Sequence, residues 1–67
     1  MEEIQNYQKN GVTLQLLKEK DKNFYIINII YKGNLLDKVS CKSKKGAVRM
    51  WVDLQKNYFN SVLSTEL

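Results

Sequence analysis

Histidine is absent from the chain, and with it go the Ser-His and Cys-His nucleophiles and every histidine-based metal site. The acids Glu2, Glu3, Glu19, Asp21, Asp37, Asp53 and Glu66 are scattered along the sequence, and no two stand at a spacing that forces a catalytic dyad. No Walker loop, dinucleotide fingerprint or calcium loop occurs. This inventory points away from an enzyme, implies no cofactor and offers no metal site. Cys41 is the sole cysteine, which excludes an internal disulfide and a cysteine zinc cluster and suits a cytoplasmic protein. In a strand interior it reads as a small core residue rather than a reactive thiol.

Long apolar runs are missing as well. The longest, Phe24 to Tyr31, falls far short of the ~20 residues that a membrane helix needs. No basic start leads into an apolar stretch, so neither a secretory signal nor a membrane anchor is expected. Arginine occurs once, at Arg49, against ten lysines. Bidentate reading of guanine is mostly arginine's work, so any binding to nucleic acid is expected to be led by the phosphate backbone.

What is present begins with a formal charge of +4, which favours an acidic partner, either nucleic acid or an acidic protein. The abundance of Lys, Asn and Ile, whose codons are rich in A and T, suggests a low-G+C genome, and the short chain suggests a phage or another mobile element. At 67 residues there is room for a single small α+β domain with one modest core. Such a core buries only about 60% of the surface that the unfolded chain exposes. A homodimer would add to it and is compatible with either class of partner.

The segment Phe24–Tyr31 is the most apolar, β-branched and aromatic stretch, and it reads as the central strand. Period two places Tyr25, Ile27, Ile29 and Tyr31 on one face, assigned to the core, and Phe24, Ile26, Asn28, Ile30 and Lys32 on the other. Val12 to Lys18 alternates as a half-buried strand before it. Leu35 to Lys42 forms a third after a loop in which Gly33 and Asn34 take positive φ. On that third strand Leu35, Asp37, Val39 and Cys41 face inward, and Leu36, Lys38, Ser40 and Lys42 face outward. The expectation is a three-stranded antiparallel meander over residues 12–42.

Ser43 has the chemistry of an N-cap. No proline follows it, and a helix is expected over residues 44–63. Ala47, Trp51, Leu54, Tyr58 and Val62, flanked by Val48, Gln55 and Phe59, form an apolar stripe that packs on the sheet. In residues 1–10, Ile4 and Tyr7 are three apart, as on a short helix that Gly11 could end; an irregular arm is the alternative.

Two candidate surfaces follow. Lys38, Lys42, Lys44, Lys45 and Arg49 bracket the start of the helix, where basic residues are unfavourable against the helix dipole by about 0.3–1 kcal/mol each. A backbone phosphate held by free amides at residues 43–46, with Gly46 allowing close approach, would offset that cost. Lys32 and Lys38 would extend the contact over the sheet. The other surface is the outer sheet face of Phe24, Ile26, Ile30 and Leu36, either covered by the N-terminal segment or open to a partner protein or a second copy. The leading expectation is a non-enzymatic DNA-binding module. The alternative is a protein-binding inhibitor or adaptor.

Overall fold

The computed structural model describes residues 1–59. It contains four antiparallel strands in sequential order, β1 (Glu2–Lys9), β2 (Val12–Lys18), β3 (Tyr25–Tyr31) and β4 (Asn34–Cys41), followed by one helix, α1 (Lys44–Phe59). The fold class is α+β, as expected, but the sheet has a strand more than the expected three. Residues 2–9 are neither a helix nor an arm. They form the β1 edge and pair with β2 from Glu2↔Lys18 to Lys9↔Val12.

A β-bulge explains why this strand resembles a helix in sequence. The register slips between Glu3 and Gln5, so Ile4 is an extra residue, and both Ile4 and Tyr7 pack against the core although they are three apart. Inserting a residue breaks period two. Asn10 and Gly11 both have positive φ, 53° and 81°, the pattern of a two-residue type I′ turn, for which Asn-Gly is the strongest short sequence signal. Gly11 turns a hairpin and does not end a helix.

The β3–β4 hairpin repeats this geometry with Lys32 at φ 48° and Gly33 at φ 84°. The left-handed residues are thus Lys32 and Gly33, whereas Asn34 already belongs to β4. A second bulge shifts the register so that Ile29 pairs with Asp37 and Ile30 with Leu35. Leu35 consequently moves to the outer face opposite Ile30, and Leu36 is the extra residue without a partner in the register.

One helix is present among the described residues, and it covers the face formed by Leu14, Leu16, Tyr25, Ile27 and Ile29, which it meets with Ala47, Trp51, Leu54 and Phe59. Each fully buried Leu or Ile of this set contributes about 1.5–3 kcal/mol by leaving water. The helix starts beyond β4 and ends with Phe59 edge-on to Tyr7 of β1, ring centroids 5.0 Å apart. It therefore crosses the sheet from one edge to the other. Two aromatic assignments change: Tyr58 is exposed while Phe59 and Gln55 are buried, and Tyr31 is exposed beneath the Lys32 ammonium, 5.3 Å from its ring centroid. The expected helix residues 60–63, Val62 among them, lie outside the described residues.

Candidate functional site

Ser43 caps α1 as expected: the Gly46 amide donates to Ser43 Oγ at 3.1 Å. That bond has a consequence for the proposed phosphate cradle. The amide of Gly46 is already satisfied, and a Cβ added at Gly46 would lie 3.2 Å from Ser43 Oγ, so the missing side chain makes room for the cap. The first turn of α1 holds no acid. Ser43, Lys45, Gly46 and Arg49 line an open depression of about 280 Å³, which brings Lys45 and Arg49, one helical turn apart, onto a common surface.

The other cations are placed differently. Lys42 and Lys44 flank the cap and are exposed. Lys38 lies within β4, opposite Asn28 in the register. Lys32 sits in the hairpin turn at the other end of β4, about 26 Å of extended strand from Lys42, and does not join the helix-start group. The residues Lys38 to Val52 carry five cations and no acid. Among the described residues none of those five is in an ion pair; the pair that forms is Lys22–Glu19, at 4.0 Å in the β2–β3 loop.

The outer sheet face is open, because β1 extends the sheet edge instead of folding over it, and no other described element lies there. Its centre is not apolar. The register aligns Asn6, Gln15, Asn28 and Lys38 in one row across the four strands. Within this row Gln15 Nε2 donates to Glu3 Oε1 at 3.0 Å, Asn6 Nδ2 donates to the same oxygen at 3.1 Å, and Asn28 Nδ2 donates to Gln15 Oε1 at 3.1 Å. The bonds from Asn6 and then Gln15 hold the Glu3 carboxyl below its ordinary pKa.

The apolar candidates flank this polar row. Ile26 lies between Leu17 and Ser40 in the register and is only 8% exposed, so its neighbours in the sheet already shield it. Phe24 and Ile30 are half-buried. Leu36 is exposed, and so is Leu35, which now stands beside Ile30. Cys41 is partly buried, and desolvation raises its thiol pKa, as suits an unreactive thiol.

Residue-by-residue reasoning missed the row because it assigned the faces strand by strand and left β1 out. Gln15 and Asn28 meet only once β2 and β3 are paired in register. No cluster of three metal-ligating side chains forms among the described residues, and none of their helices is long and apolar enough to cross a membrane. No protein-family model, curated protein or solved structure matches the chain.

Proposed function

We propose that the chain is a non-enzymatic module that binds DNA through the phosphate backbone, using Lys38, Lys42, Lys44, Lys45 and Arg49. One observation carries this reading: these five cations are all exposed, and none has an anionic partner among the described residues. A cationic helix start without a counter-charge costs free energy against the dipole, and a polyanion relieves it. Phosphates would be met by side chains more than by backbone amides, since the cap occupies the Gly46 amide. Replacing Lys44, Lys45 and Arg49 with glutamate should abolish binding to mixed-sequence duplex at low salt. A wild-type chain that binds no such duplex would remove the reading.

A second reading draws on Leu35 and Leu36, which are 59% and 55% exposed at the β4 edge. Exposed leucines next to the half-buried Ile30 suit a protein contact, either an adaptor or inhibitor surface or a homodimer. Leu35→Lys together with Leu36→Lys should then abolish association without unfolding the monomer. An unchanged mass in solution for both chains, with unchanged partner binding, would argue against it.

A further inference from the structure

We propose that Asn28 reads an adenine in the major groove of double-stranded DNA, its amide held in the reading orientation by Gln15 and Glu3. This deepens the DNA-binding reading above and rests on it. The argument starts from Glu3, whose carboxylate can only accept hydrogen bonds. Gln15 must therefore turn its NH₂ group toward Glu3, which points its carbonyl at Asn28. Asn28 must in turn offer its own NH₂ to that carbonyl, at 3.1 Å, and so its carbonyl oxygen faces away from β2. Among the described residues this leaves Asn28 with an unused acceptor and one unused N–H on an uncovered face. Adenine presents the complementary pair in the major groove, the N7 acceptor and the N6 donor.

The surroundings fit the same ligand. Ile30, half-buried, stands two residues from Asn28 on its own face, about 6–7 Å along the strand, whereas Ile26 on the other side is shielded. An aliphatic group at that distance can meet the thymine methyl, the other feature that marks an A·T pair in this groove. The row from Gln15 through Asn28 to Lys38 spans two strand gaps, about 10 Å, and the groove is about 12 Å wide. Lys38 adds positive charge beside Asn28, while the acid of this face, Glu3, lies on β1 at the far margin, and Asp37 of β4 pairs with Ile29 on the helix side. DNA seated over β3 and β4 on the outer face therefore avoids both carboxylates. The aromatic of this face, Phe24, precedes β3, is half-buried and stands about 13 Å along the strand from Asn28. Beside Asn28 there is thus no platform on which successive unpaired bases could stack, which favours duplex over single strands. To the backbone-led contact expected from the scarcity of arginine this adds one base contact, supplied by an asparagine.

The experiment selects bound sites from a library of randomised duplexes at low salt, using the full chain. The sites recovered should share a fixed adenine, and exchanging it for 7-deazaadenine, which removes N7 and preserves pairing, should weaken wild-type binding about tenfold. Asn28→Ala should lose the same factor on the selected site, ignore the 7-deaza exchange and bind unselected duplex as the wild type does. Gln15→Ala should reduce the adenine preference without changing affinity for unselected duplex, and it should move the Asn28 side-chain amide resonances, which marks Gln15 as a positioning residue. Binding with no base preference, or a preference that survives Asn28→Ala, overturns the inference and leaves backbone binding standing. Tighter binding to single strands than to duplex overturns it too. A chain that binds no DNA overturns both.

Discussion

Asn28 on β3 donates its side-chain amide to the Gln15 carbonyl on β2 at 3.1 Å, and this bond decides which polar groups the open side of the sheet presents. The Glu3 carboxylate anchors the chain of bonds by accepting from both Asn6 and Gln15. Three strands are thereby joined through side chains as well as through backbone pairing, on the side the helix does not cover.

Acidification should undo this chain from the Glu3 end. Because its hydrogen bonds lower the Glu3 pKa on folding, their contribution is complete above the unfolded-state value, about 4.3 for a glutamate. It is lost as pH falls through the lower folded-state value. Side-chain amide resonances of Gln15 and Asn28 should move together with that low midpoint, and Glu3→Gln should abolish the transition. Amides that titrate separately, or not at all, would contradict the linkage.

Ser43 serves stability through its cap. Ser43→Ala should cost about 1 kcal/mol in urea denaturation, because the Gly46 amide loses its acceptor. Ser43→Asp keeps an acceptor and suits the helix dipole, so it should retain stability while weakening DNA binding by placing an anion between Lys42 and Lys44.

Trp51 is the largest side chain in the core, 1% exposed, and its indole N–H has no hydrogen-bond partner among the described residues. Trp51→Ala should cost about 3–5 kcal/mol through lost packing and the cavity left behind. A domain of this size has total stability of that order, so the variant should be largely unfolded by circular dichroism at 25 °C.

Lys32 holds a left-handed conformation at φ 48°, which costs a lysine about 1–2 kcal/mol and an asparagine less. Lys32→Asn should raise stability by about 0.5–1 kcal/mol. DNA affinity should fall little, because Lys32 lies at the far end of β4 from the helix-start cations. A large loss of affinity would place Lys32 within the contact after all.

The parts of the fold legible in the sequence are those where period two or period 3.6 runs unbroken. Tyr25, Ile27 and Ile29 alternate cleanly and are buried together, and Ser43 announces the helix start. The illegible parts sit at the two bulges. At Ile4 the extra residue gives β1 a helical spacing, and at Leu36 it moves Leu35 to the outer face opposite Ile30. The Asn10-Gly11 dipeptide is the local signal that identifies the first hairpin. For the candidate site, the cations were legible from composition, but the central row was not. It depends on contacts between residues 12 and 13 positions apart in the chain, which no local pattern encodes.

Duplex affinity as a function of salt tests the central claim most directly. If Lys38, Lys42, Lys44, Lys45 and Arg49 neutralise phosphates, log K for the wild type should fall linearly with log salt, at about −0.9 per phosphate contact, giving a slope of roughly −3 to −4.5 for most or all of them. The Lys44, Lys45 and Arg49 charge reversal should show no measurable binding in the same series. A wild-type affinity that is independent of salt, or undetectable even at the lowest salt, would contradict the account.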